Sequence, residues 1–214
     1  MAYPSIAAKL KEKNVTLVAV SKTQPVSALM ELYNVGQRHF GENKVQEMLL
    51  KQEQLPADIH WHLIGHLQRN KVRYIAPFVH LIHSVDSLLL LQEIDKQAAK
   101  ASRTIDCLLQ IFIATEETKF GLSLDELYAL LQSPKFAAMK HIRIRGLMGM
   151  ASNVEDKTQV QREFHSLRRL FDQTKSTYFL NDQSFDILSM GMSADHDIAI
   201  SEGATMVRIG SLLF

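Results

Sequence analysis

Short apolar runs alternate along the chain with stretches in which apolar positions recur every three or four residues. Thr16-Leu17-Val18-Ala19-Val20 is the first run, and it reads as a strand buried on both faces. Pro25 suits the first turn of the helix that follows, and Gly36 its end. The pattern continues with a short strand over 38–41, a helix over 45–54, a strand over 60–65 and a short helix over 68–74. A strand over 81–85 precedes a helix capped by Ser87, with Leu88, Leu91, Ile94 and Ala98 on one face. After a strand over 105–113, Ser123-Leu124-Asp125-Glu126 forms a capping box that opens another helix. The strand over 142–150 leads to a helical stripe of Val160, Phe164, Leu167 and Phe171. Strands over 185–190 and 205–209, with a short helix over 195–202 between them, end the pattern.

About eight strands separated by helices predict an α/β fold, a parallel sheet with helical cover. Eight units fit a single closed (β/α)8 TIM barrel over residues 1–214, although about 250 residues is more typical of it. The rival is an open doubly wound sheet, which is weakened by the lack of a G-x-G-x-x-G or P-loop fingerprint. No Pro/Gly/Ser-rich linker or charge block divides the chain, which favours one domain.

The chain has 214 residues, 46% hydrophobic and 22% charged, in the range of globular proteins. Lys plus Arg number 24 against 23 Asp plus Glu, a formal charge of +1, which argues against a nucleic-acid or anionic-membrane binder. The one cysteine, Cys107, allows no internal disulfide and fits a reducing compartment. Met1-Ala2-Tyr3-Pro4-Ser5 shows no basic segment leading into an apolar one, and no apolar run spans a bilayer, so a cytoplasmic location is expected.

A barrel carries its site at the carboxyl ends of its strands. The residues there are Lys22, Glu42, Asn43, Gly65, His66, Ser84, Asp86, Met150, Ser189, Gly191, Arg208 and Gly210. Alternation puts Val18, Val20 and Lys22 on one face of the first strand, and Met206, Arg208 and Gly210 on one face of the last. If those faces point inward, a lysine and an arginine enter the mouth from adjacent strands. A lysine partly desolvated beside a cation has a lowered pKa, and its neutral amine attacks aldehydes. A lysine just past a strand is also an ordinary solvated loop residue, and position alone does not separate the two.

The segments after the seventh and eighth strands are rich in small residues: Ser189-Met190-Gly191-Met192-Ser193 and Gly210-Ser211. Phosphate sites in barrels are built at those loops. Tight turns use the same residues. His60 and His62 share a strand face, as in metal-dependent barrel hydrolases, but Arg208 at the last strand end would repel a metal, so none is expected. His62 reads instead as a hydrogen-bonded residue of the mouth, and Cys107 as core.

The blocks Ala19-Val20-Ser21-Lys22-Thr23, Phe40-Gly41-Glu42-Asn43-Lys44-Val45-Gln46-Glu47 and Trp61-His62-Leu63-Ile64-Gly65-His66-Leu67-Gln68-Arg69-Asn70-Lys71 stand in order along the chain. Ile82-His83-Ser84-Val85-Asp86, Gly146-Leu147-Met148, Leu188-Ser189-Met190-Gly191-Met192-Ser193 and Gly203-Ala204-Thr205-Met206-Val207-Arg208-Ile209-Gly210 complete the set. From Leu17 to Phe214 the sequence resembles the pyridoxal-phosphate homeostasis proteins, once called proline synthetase co-transcribed proteins. The resemblance implies a barrel like the N-terminal domain of alanine racemases, with pyridoxal 5′-phosphate (PLP) as cofactor. It implies PLP held as a Schiff base on Lys22, its phosphate on Ser189, Gly191, Gly210 and Ser211, with Met190 in the same loop. It implies Arg208 at the pyridine nitrogen, and Asn43, His62, His83, Ser84 and Met148 around the ring.

Four features depart from the family. Phe112 stands where the family has Asn; Ala194-Asp195-His196 stands in place of Asn-Asp-Tyr; Phe120 replaces a small residue beyond Lys119; and the chain ends at Phe214, where relatives run on. The implied role is PLP storage and delivery that balances vitamin B6 and amino-acid pools, by a monomer whose transient partners are apo PLP-dependent enzymes. The alternative is a racemase-like PLP enzyme. Racemisation needs an acid/base on each side of the substrate Cα, whereas Tyr3, Tyr33, Tyr74, Tyr128 and Tyr178 fall on helices or termini. A cation at the pyridine nitrogen also weakens the ring as an electron sink. A binding protein without useful turnover is therefore expected.

Overall fold

The computed structural model describes residues 3–115 and 120–214. The loop residue Lys119, which the sequence reading compared with the family, lies outside them. The chain runs α1 (Tyr3–Glu12), β1 (Thr16–Val20), α2 (Val26–Asn34), β2 (His39–Glu42), α3 (Val45–Gln52), β3 (His60–Leu63), a 3-10 turn (Arg69–Lys71) and α4 (Val72–Ile75). It continues β4 (Leu81–Val85), α5 (Leu88–Lys100), β5 (Ile105–Ile111), α6 (Leu124–Leu131), α7 (Pro134–Ala137) and β6 (Ile142–Gly149). It closes with α8 (Lys157–Tyr178), β7 (Ile187–Ser189), α9 (His196–Ser201) and β8 (Met206–Ile209). All eight strands are parallel and in sequence order, and β8 pairs back onto β1 to close the barrel. Among the described residues, no helix is long and apolar enough to cross a membrane.

Closure separates two apolar layers. Leu17, Ala19, Leu63, Ile82, Leu109, Leu147, Leu188 and Val207 face outward and pack under the helices, with Phe164, Leu167 and Phe171 of α8 among their partners. Val18, Leu81, Leu108, Met148 and Met206 fill the interior. The alternation expected for β1 and β8 therefore holds, with Val18 and Met206 inside and Leu17 and Val207 outside. Cys107 belongs to the outer layer, and burial raises its thiol pKa, so it is core.

Local chemistry sets the helix starts. Ser87 Oγ accepts from the Leu90 amide, and Ser123 and Glu126 form the reciprocal capping box. Two helices lay outside the sequence pattern, α1 and α7. The amino-terminal α1 is short, with only Tyr3 and Leu10 buried, so its apolar stripe is faint. Several strands end earlier than their apolar runs: β3 at Leu63, β5 at Ile111 and β7 at Ser189. There the chain leaves the ladder to form the mouth. Phe185, included in the seventh run, instead packs in the helical layer, 5.0 Å from the ring of Phe171 and 4.4 Å from that of Phe179.

Candidate functional site at the carboxyl mouth

The carboxyl ends of the strands surround a cleft of about 390 Å³. Five of the twelve residues that the resemblance gave to the cofactor line it: Lys22, Asn43, Arg208, Gly210 and Ser211. So do Ile64, Gly65, His66, Gln110, Met150, Met192 and Ser193, as well as Val20 and Phe120. Of these, Gln110 and Ile64 stood out least in the sequence, because each falls inside an apolar run.

Lys22 sits in the turn after β1 and is exposed, not partly desolvated as its position beside Arg208 suggested. Its side chain is free because the turn around it is held by others. Lys51 Nζ donates to the Ser21 carbonyl (2.6 Å), to Glu42 Oε1 (2.7 Å) and to Glu47 Oε1 (2.8 Å). Ser21 Oγ donates to Glu42 Oε1 (2.6 Å), and the Thr23 amide to Glu47 Oε1 (2.5 Å). Thr23 itself has φ 64°, a left-handed conformation that costs a β-branched residue energy and is kept by these contacts. Lys51 and Glu42 are both buried, and burial raises the pKa of the Glu42 carboxyl against the opposing effect of Lys51. The sequence reading missed Lys51: a lysine in a helix reads as solvated.

Arg208 enters from β8 and is buried, with neutral hydrogen-bond partners. Nη1 donates to Ser189 Oγ (2.7 Å) and Nη2 to the Gly149 carbonyl (3.1 Å). Desolvation lowers its pKa to about 10, so it stays a cation at neutral pH. Beneath it, Ser189 Oγ lies 3.0 Å from His83 Nδ1, and His83 Nε2 lies 2.9 Å from His62 Nδ1. Burial pushes both imidazoles well below their usual pKa, so they are neutral.

The other seven of those twelve do not line the cleft. His62, His83 and Ser189 lie below Arg208 in the hydrogen-bonded chain, and Met148 in the apolar interior. Met190 packs in the outer core, because strand alternation turns it away from Ser189. Gly191 has φ +93°, and a Cβ there would lie 2.6 Å from Ala199 Cβ, so it serves the turn into α9. Ser84 Oγ is buried with no hydrogen-bond partner among the described residues. Of the four residues that the resemblance gave to a phosphate, Gly210 and Ser211 line the cleft, with Ser193 beside them, and Ser189 and Gly191 do not. The Gly210 amide donates to Ser193 Oγ (3.2 Å). Asp195 does not cap α9 through its side chain; its carboxylate accepts from the Met192 amide (2.6 Å).

At the outer rim the His66 ring stacks on Phe120 (4.6 Å), and His66 Nδ1 lies 3.2 Å from Asp86. A larger cleft of about 690 Å³ lies elsewhere, between Phe112 and the α6 and α8 helices. Phe112, where the family has Asn, lines that groove and not the mouth.

The closed parallel barrel with its cleft at the carboxyl ends of the strands is of the alanine racemase N-terminal-domain type. The model of that family, "Alanine racemase, N-terminal domain", matches residues 3–214. Within it, the chain belongs to the pyridoxal phosphate homeostasis protein family. It is 41% identical to the pyridoxal phosphate homeostasis protein of Aquifex aeolicus, over 92% of this chain and 85% of that one. It is 38% identical to that of Helicobacter pylori, over 94% and 87%. The structure of PipY from Synechococcus elongatus with PLP bound superposes with a TM-score of 0.87, at 37% identity, covering 97% of each chain. Alanine racemase from Bartonella henselae shares the fold, with a TM-score of 0.69 at 16% identity, and this chain covers 56% of it.

Proposed function

We propose that this chain is a PLP-binding protein that holds the cofactor at the barrel mouth and takes part in PLP and amino-acid homeostasis. The observation that carries the proposal is the pairing of exposed Lys22 with buried Arg208 on one cleft. The cleft falls within the usual ligand-pocket range of about 300–1,000 Å³. Its donors suit the group: Gly210 and Ser211 with Ser193 for a phosphate, Arg208 for a ring nitrogen, and an amine for an aldehyde. When bound, PLP supplies a reactive aldehyde and an electron-poor ring. Lys22 Nζ, exposed on the cleft, would hold the group through that aldehyde. Arg208, a cation with neutral partners, would face a ring nitrogen there and disfavour its protonation. Ser189, His83 and His62 position Arg208 from below, and Asn43, Ser84 and Met148 complete the surroundings, with Met190 and Gly191 shaping the phosphate loop.

The tyrosines lie on α1, α2, α4, α6 and α8, away from the strand ends, which supports binding without racemase turnover. Relatives named as homeostasis proteins point the same way. In this reading one barrel domain acts as a cytoplasmic monomer and passes PLP to apo-enzymes in transient encounters. Titration of the cofactor-free protein with PLP and with pyridoxal, followed by absorbance, tests the proposal. Saturable PLP binding with pyridoxal much weaker is expected; equal affinities would reject the phosphate site, and no saturable binding would reject the proposal.

A further inference from the structure

Four histidines, His39, His60, His62 and His80, crowd the opposite, amino-terminal end of the barrel, and the family resemblance gives a role to His62 alone among them. We propose that this floor holds one divalent transition-metal ion, ligated by His39, His62 and His80.

The strands create the cluster. His39 begins β2 and lies beside His60, which begins β3. His62 is two residues further along β3, in register with Gly41 of β2, and is buried. His80 precedes β4, and its amide donates to the Trp61 carbonyl (2.8 Å). One ring nitrogen from each of His39, His62 and His80 falls within 4.8 Å of the others. His39 Nδ1 and His62 Nε2 are already 2.9 Å apart. Two nitrogens on one tetrahedral zinc are about 3.3 Å apart, given Zn–N bonds of about 2.0–2.1 Å. The inner pair is thus set, and exposed His80 has only to close in.

The donor set selects the ion. Three imidazoles without a carboxylate suit zinc, copper, nickel or cobalt and not the oxygen-seeking magnesium or calcium. Ligands must be unprotonated. A cleft of about 650 Å³ between α1 and the starts of β1 and β2 is lined by His39 and His60 and opens this edge of the cluster to the surface. The outer shell is present as well. His60 Nδ1 lies 3.4 Å from His39 Nε2, and the His60 ring stacks on His80 (4.3 Å, 11°). The objection that Arg208 would repel a metal applies to the mouth, from which His83 and Ser189 separate this site.

The site is wired to the mouth. An ion on His62 Nε2 leaves that ring's proton on Nδ1, which donates to His83 Nε2. His83 then carries its proton on Nδ1 and donates to Ser189 Oγ. Ser189 already accepts from Arg208, so its own proton turns to another acceptor. On the outer side, His39 gives up Nδ1 to the ion and keeps its proton on Nε2, facing His60. No proton is gained or lost in these rings; the ion fixes the direction of a chain that otherwise runs either way.

Tag-free protein is titrated with Co2+, read by visible absorbance, and dialysed against Zn2+ with the metal then counted. One ion per chain is expected. His80→Ala and His39→Asn should each weaken binding about tenfold or more, while His165→Ala on the exposed face of α8 should not. Circular dichroism checks that each variant folds; His80 is exposed, so that variant decides the matter if His39→Asn fails. Absence of binding at millimolar metal, or stoichiometric binding that survives both substitutions, would overturn the site. Nitrogen-15 NMR of the zinc-loaded protein should show His62 and His83 both protonated on Nδ1, and finding His83 protonated on Nε2 would overturn the link to the mouth.

Discussion

Arg208 donates from Nη1 to Ser189 Oγ across 2.7 Å, with both side chains buried at the base of the mouth cleft. Ser189, one of the four residues that the resemblance gave to the phosphate, here accepts from the arginine. A cation with neutral partners in a desolvated place stabilises negative charge or a lone pair in front of it.

Replacing Arg208 with Gln should shift the absorbance of bound PLP and its pH dependence. The preference for PLP over pyridoxal should remain, because the phosphate lies on other residues. Ser189 Oγ and the Gly149 carbonyl would each lose a charged donor, so the variant should lose roughly 1–3 kcal/mol of stability, read from denaturant midpoints. An unchanged spectrum would remove Arg208 from the ring.

Lys51 carries no ligand, yet three of its contacts brace the Lys22 turn. Lys51→Met leaves the Glu42 carboxylate buried and unpaired, and should cost about 3–5 kcal/mol. Lys51→Met with Glu42→Leu should recover much of that loss while PLP capture stays slow, because the turn is no longer fixed. Rapid capture by the folded double variant would show that the brace is only structural.

Gly191 and Gly210 should separate fold from binding. Gly191→Val places a side chain at φ +93° against Ala199 and should lower the melting temperature sharply. At Gly210 a Cβ would meet Val20, with 3.2 Å to its carbonyl oxygen, at the cleft itself. Gly210→Val should mainly weaken PLP and narrow its margin over pyridoxal. Matching losses of stability in the two variants would contradict this division.

The barrel was legible because eight apolar runs keep their period, and β1 and β4 matched residue for residue. Inward-facing Arg208 and Lys22 followed from alternation alone. Two kinds of feature escaped. Depth along a strand is invisible in a period of two, so Ser189 and Arg208, on neighbouring strands, both read simply as strand-end residues, although one lies beneath the other. Partners distant in sequence, such as Lys51 with Ser21 and His39 with His62 and His80, exist only once the barrel closes.

Acid should destabilise the protein through its histidines. His39 and His80 are lowered to about 4, and His62 and His83 lie well below their usual range. A depressed folded pKa means the stabilisation is complete above the unfolded value of about 6.5 and is lost as pH falls towards 4. Each proton taken up on unfolding contributes about 1.4 kcal/mol per pH unit. Glu42, raised by burial, opposes this only weakly as one group. Denaturant midpoints should fall from pH 7 to pH 5, and His80→Gln should flatten the slope. A midpoint constant over that range would contradict the buried neutral state.

The central claim is that Lys22 is the residue that captures PLP. The PLP-loaded protein is reduced with borohydride, digested, and the peptides weighed by mass spectrometry. The phosphopyridoxyl mass should sit on the peptide containing Lys22, and Lys22→Ala should lose the label while keeping weak PLP binding. A label on Lys44, Lys71 or another lysine, or full labelling of Lys22→Ala, would contradict it.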